Sequence, residues 1–194
     1  VWQEHLDGET ILQPMGKIAN YLTASLALTN SAPLVCEWPI SSNSKSQVTI
    51  TGIADSGEKS NFELAGRIDR VDQLYAHGLD NNQRLIIIRD MKTVNGPKSN
   101  LRGERHRRAI FDELQLALYA KAWESAYPDD RVIGVGITEV GETTEYYVEV
   151  DPDYAELVED LSIGKITDYT SKTYRDLEEE KLGDRKSTRL NSSH

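Results

Sequence analysis

The chain has 194 residues, 38% of them hydrophobic and 28% charged, with a formal net charge of −10 at pH 7. That length suits one domain with a real core, and no apolar run approaches the roughly 18 residues that would span a bilayer. The acidic balance excludes a passive, general nucleic-acid binder but not an enzyme whose centre is itself acidic.

In chain order, the start Val1-Trp2-Gln3-Glu4-His5 lacks the basic residues and apolar stretch of a signal peptide. Residues 10–29 are expected to form a helix, because Ile11, Leu12, Met15, Ile18, Ala19, Leu22 and Leu26 recur at helical spacing. Pro33 closes that region, and Leu34–Ile40 is a short strand candidate. It contains Cys36, the sole cysteine, so an internal disulfide and a multi-cysteine metal site are both excluded. A reducing, cytoplasmic setting is expected. Ser41–Ser46 is a polar loop, Val48–Ile53 alternates like a strand, and Asp55–Ser60 turns it. Phe62–Leu74 is expected to be one longer strand, followed by a turn over His77–Asn82.

Leu85-Ile86-Ile87-Ile88 is a continuous apolar run, which predicts a strand buried on both faces. A polar, basic stretch runs from Asn95 to Arg108. Ile110–Ala126 is expected to be a helix stopped by Pro128, and Val132–Val140 and Glu145–Val150 two strands around Gly141-Glu142. Asp151 is placed to cap a helix beginning at Pro152. Beyond Lys165 the pattern fades. Asp184–His194 resembles the translation of a sequencing-library adapter. Residues 1–183 are therefore expected to be a single domain cut short at both ends, with 184–194 an artefactual tail. That tail carries three basic residues and one acidic one, which leaves the remainder near −12. The element order predicts an α/β layered domain with a mixed sheet.

Chemistry concentrates at the end of the apolar run. Asp90 and Lys92 are two apart on one strand and so share a face. Burying a carboxylate and an ammonium beside Ile86 and Ile88 is costly unless they are paired or hold a metal. Asp69, in Gly66-Arg67-Ile68-Asp69-Arg70-Val71-Asp72, precedes them by one turn. If the two strands pair as a hairpin, the carboxylates converge into a hard oxygen site suited to Mg²⁺ or Mn²⁺. Lys92 beside it would orient water and offset developing negative charge on a phosphodiester. Asp72 competes with Asp69 for this role. Gly134, Gly136 and Gly141 imitate a dinucleotide fingerprint, but their spacing is wrong and they fall within a strand.

The Gly66–Asp72 motif, then Ile88-Arg89-Asp90-Met91-Lys92-Thr93, then Gln115-Leu116-Ala117-Leu118-Tyr119 resembles the RecB-like branch of the PD-(D/E)XK nuclease superfamily. That branch shows a G-x-x-D strand, a D-x-K-T strand and a Q-x-x-x-Y helix in this order. The resemblance implies a restriction-endonuclease-like core, with Asp69 and Asp90 as metal ligands and Lys92 as catalytic lysine. It further implies that Gln115 and Tyr119 border the site from one helix face. The activity implied is that of a Mg²⁺-dependent deoxyribonuclease of exonuclease type. It would act in DNA repair or recombination beside a fused or associated helicase.

The family's upstream ligand is a histidine or glutamate, for which His5 and Glu37 are the candidates. A cysteine-bound iron–sulfur cluster, found in some relatives, is not supported within this sequence. Arg102, Arg105, Arg107 and Arg108 are candidate contacts to DNA phosphates, or else a surface cluster at a helix start. His77 and His106 are expected to be solvated. The competing functional reading is a catalytically inactive DNA-binding or scaffolding module. A structure-selective RNA nuclease is a third.

Overall fold

The computed structural model describes residues 16–41, 48–53, 58–75, 83–96, 99–112, 114–167 and 174. In chain order these form α1 (Lys17–Leu26), β1 (Ser31–Ile40), β2 (Val48–Ile53), β3 (Lys59–Leu64), β4 (Gly66–Leu74) and β5 (Leu85–Thr93). They continue with α2 (Asn100–Asp112), α3 (Leu114–Ala126), β6 (Arg131–Val140), β7 (Glu145–Val150), a 3-10 turn (Pro152–Tyr154), α4 (Ala155–Val158) and β8 (Lys165–Ile166). Six strands make one mixed sheet in the order β1-β4-β5-β6-β7-β8. β5–β6 and β7–β8 are parallel, and the other neighbours are antiparallel. The expected α/β class and mixed sheet are therefore found.

β5 follows from its composition. A run of isoleucines favours a pleated, fully covered strand, and Leu85 to Asp90 are all buried. On one face, Ile86 and Ile88 pack with Val71, Val135 and Ile137 under Ile110 of α2 and Leu116, Ala117, Ala120 and Trp123 of α3. On the other, Leu85 and Ile87 pack with Ile133, Val148, Val150, Val158 and Ile163. Helices thus cover both faces of the sheet, which is what parallel pairing at its centre requires.

Several boundaries differ from the sequence reading. The stretch Phe62–Leu74 is two strands, not one. Lys59–Leu64 pairs with Val48–Ile53 as a separate two-stranded sheet, whereas Gly66–Leu74 enters the main sheet. β-alternation predicts a strand but not its partner, so a change of sheet at Ala65 leaves no mark on the pattern. The basic stretch before Arg108 is mostly helical: helix begins at Asn100, ahead of the expected Ile110, and ends at Ala126 as expected. β1 begins at Ser31 and accommodates Pro33 beside a register irregularity between Pro33 and Val35, where a missing N–H does least harm. Asp151 caps the turn after β7 as expected, accepting from Asp153 N at 3.2 Å.

The helix expected over 10–29 is seen at Lys17–Leu26, with residues 10–15 outside the described residues. Its apolar spacing does not feed the core: none of its residues is fully buried, and Leu26 is 82% exposed. Its ties to the sheet are polar, through Tyr21 and Ser25 to Arg70. The polar loop expected at Ser41–Ser46 lies outside the described residues apart from Ser41, as do the turn at His77–Asn82 and the tail 184–194. No helix among the described residues is long and apolar enough to cross a membrane.

Candidate active site

β4 and β5 form the antiparallel pair on which the site depends. Their registered partners run from Gln73–Ile86 to Arg70–Arg89. One step further the register sets Asp69 against Asp90, with both side chains on the α2–α3 face. Backbone pairing stops there, and a side chain takes over: Asp69 Oδ2 accepts from the Met91 amide at 2.8 Å. Asp90 is 5% exposed. Lys92 Nζ lies 2.8 Å from Asp90 Oδ2 and keeps a partly exposed stem. Asp90 and Lys92 therefore meet at the end of the buried strand, with Asp69 bound to the backbone amide between them.

α3 closes the site from above. Gln115 Nε2 is 3.4 Å from Asp90 Oδ1, a long contact, and 2.6 Å from the Tyr119 hydroxyl. The i,i+4 spacing puts both on one helix face, as expected. Gln115 thereby links the carboxylate to the phenol.

The upstream ligand candidates do not join them. Glu37 stands at the register position across β1–β4 from Asp69, between the Cys36–Arg70 and Trp38–Ile68 pairs. Its backbone has φ of 58°, and its carboxylate is 2.5 Å from Arg67 Nε in an exposed ion pair. A β-strand side chain would face Asp69 from there, and the left-handed backbone redirects it. His5 lies outside the described residues. Among the described residues, no three of His, Cys, Asp and Glu gather into a metal-holding group. The Asp69–Asp90 pair still suits a hard cation. Mg²⁺ commonly takes one or two carboxylates and fills its shell with water and substrate phosphate oxygens.

The basic segment divides. Arg102 is drawn inward: its Nε is 3.1 Å from Glu139 Oε2, and its side chain is 14% exposed. His106 Nδ1 is 2.7 Å from the other oxygen of the same carboxylate. His106 is thus a buried carboxylate's partner and not a solvated residue, a correction to the sequence reading. Arg107 lies over the Tyr147 ring at 5.9 Å. Arg105 and Arg108 are exposed on α2, three apart and so on one side of the helix. Glu139 was not foreseen. Its signal was available, since it is an acid on the apolar strand Val132–Val140, and it pairs in register with Lys92.

The reverse face holds a second charged cluster. Asp72 is fully buried and accepts from Arg70 at 2.6 and 3.1 Å and from Arg89 at 2.7 Å. Arg70 also donates to Tyr21 and Ser25 of α1, and Arg89 to the Ile163 carbonyl. Burial pulls the Arg70 guanidinium down, but the hydrogen bond and charge of Asp72 reverse this and hold it above its usual value. Arg89 ends lowered: burial dominates, Asp72 opposes it, and the Arg70 charge adds to the lowering. Burial likewise raises Tyr146, whose ring lies 5.1 Å from the Arg89 guanidinium. Asp72 therefore does not compete with Asp69. It points to the opposite face and is committed to two arginines.

A family model described as the PD-(D/E)XK nuclease superfamily matches residues 1–187. Comparison with curated proteins finds no match.

Proposed function

The chain belongs to the PD-(D/E)XK nuclease superfamily, and on that premise we propose that it is a Mg²⁺-dependent DNA nuclease domain of the RecB-like branch. The observation that carries the proposal is that Lys92 and Gln115 both reach Asp90 at the end of β5, with Asp69 on the Met91 amide beside them and Tyr119 behind Gln115. Asp69 and Asp90 would hold the divalent ion, which when bound supplies Lewis-acid polarisation of a phosphoryl oxygen. Lys92 orients the attacking water and offsets negative charge on the phosphate as the bond to water forms. Gln115 fixes the Asp90 carboxylate, and Tyr119 fixes Gln115. Exonucleolytic action in DNA repair, beside a fused or associated helicase, rests on the likeness of the three motifs to the RecB-like branch.

The carrying experiment is a calorimetric Mn²⁺ titration combined with a cleavage assay on linear DNA. Specific Mn²⁺ binding and Mn²⁺-dependent cleavage are expected. Absence of both would leave a non-enzymatic nuclease-like module. Tyr119→Phe removes the oxygen that holds Gln115. It should slow cleavage about tenfold and cost roughly 1 kcal/mol in urea unfolding. An unchanged rate would remove Tyr119 from the site.

DNA contact falls to Arg105 and Arg108, whose side chains are exposed, and not to Arg102. The double variant R105A/R108A should lower the slope of log affinity against log salt by about 1.5 in a fluorescence titration, with little change in stability. R102A should behave oppositely. It leaves buried Glu139 with His106 alone, so about 3 kcal/mol of stability is lost while the salt slope holds. Interchanged phenotypes would refute this division.

A further inference from the structure

The two candidate ligands have charged chain neighbours that face the other way. Arg70 follows Asp69 and Arg89 precedes Asp90, and the two arginines are registered partners across β4–β5. Both bind one carboxylate, that of Asp72. We propose that Asp72 is a positioning residue for the candidate site: by binding Arg70 and Arg89 from the reverse face, it fixes the β4–β5 register that sets Asp69 against Asp90. This rests on the nuclease reading and adds to it a residue that touches neither metal nor substrate.

Register is the quantity at stake. A slip of one residue would turn one of the two carboxylates to the wrong face, together with the apolar residues of its strand, and the apolar pattern forbids it. A slip of two would keep every side chain on its face and move the carboxylates apart by about 7 Å. The apolar pattern resists this weakly, because Ile86 and Ile88 are the same residue on the same face and either can pack against Val71. The ionic cluster resists it strongly. Arg70 is held by Tyr21 at 2.7 Å and Ser25 at 2.9 Å on α1. Arg89 is held by the Ile163 carbonyl at 2.7 Å, beyond α4. Asp72 joins the two anchors at 2.6 and 2.7 Å. All three residues are at most 1% exposed, so bulk solvent does not reach them to replace a lost partner. A slip in either direction would pull one arginine from its anchor.

Two variants of the full chain test this. Asp72→Asn keeps the shape and removes the charge. Arg89→Gln leaves Asp72 paired with Arg70 and removes the tie between strands. Each is titrated with Mn²⁺ by calorimetry well below its melting temperature, which is measured without metal. Partners that orient ligands typically contribute 10- to 100-fold in metal affinity, so the Mn²⁺ dissociation constant should rise at least about tenfold in both. Cleavage at saturating Mn²⁺ should fall less than the affinity does. Wild-type Mn²⁺ affinity in folded D72N and R89Q, with only a lower melting temperature, would overturn the proposal and leave a purely structural cluster. Failure of R89Q to fold would also overturn it, by making the cluster a folding requirement. No Mn²⁺ binding by the wild-type chain would instead bring down the nuclease reading itself, and this proposal with it.

Discussion

Asp90→Asn and Lys92→Ala each lower metal-dependent DNA cleavage by about a thousandfold or more, and they do so for different reasons. Asp90→Asn keeps the shape of a residue that is 5% exposed and removes its charge. Mn²⁺ binding disappears with cleavage. In metal-free buffer the variant should be about as stable as the wild type, because what it loses is an ion pair to a lysine that is itself part exposed. Lys92, with a partly exposed side chain, can turn to water once Asp90 is neutral. Lys92→Ala removes a cation from the neighbourhood of the ligands, so Mn²⁺ binding should persist or tighten while the rate collapses. Calorimetry and a single-turnover assay on the same preparations separate the two. Cleavage by K92A at the wild-type rate would end the assignment of Lys92, and retained Mn²⁺ affinity in D90N would end that of Asp90.

Gly136→Ala should cost about 3 kcal/mol or more in urea unfolding, a large share of a domain's stability. Gly136 sits mid-sheet, registered with Arg89 of β5 on one side and Val148 of β7 on the other. A Cβ there would stand 2.0 Å from the Tyr147 carbonyl oxygen, which belongs to the sheet backbone and cannot swing aside. The strands must part, and Arg89 with Asp90 is on the strand next door. Gly134→Ala is the natural comparison. Its Cβ would meet Val148 Cγ2 at 3.1 Å and Glu149 O at 3.2 Å, a crowding that a few tenths of an ångström relieve. It should cost about 1 kcal/mol. Equal, small losses for the two would show that β7 shifts freely and that close approach does not explain Gly136. These glycines, which imitate a dinucleotide fingerprint in sequence, sit where strands pack closely.

The three motifs were legible because their chemistry is local. Period-2 alternation puts Asp90 and Lys92 on one face, and i,i+4 spacing does the same for Gln115 and Tyr119, whatever the rest of the chain does. A hairpin between two nearby strands then brings Asp69 to Asp90. The same alternation placed Arg70, Asp72 and Arg89 together on the reverse face, and it could have removed Asp72 from competition with Asp69. What alternation could not supply was the partner of each charge.

By itself, then, the sequence determined the α/β class, the doubly buried strand β5, the capping at Asp151 and the candidate residues of the site. All follow from spacing and composition over a few residues. The tertiary structure alone decided that Lys59–Leu64 leaves the main sheet and that α1 is tied down by Tyr21 and Ser25 and not by its leucines. It alone turned Glu37 to Arg67 and gave Arg102 and His106 to Glu139, 37 and 33 residues away. The physical reason is common to these cases. A buried charge must find an opposite charge or a hydrogen-bond partner wherever the fold supplies one, and that place is set by packing between elements that are distant in the chain.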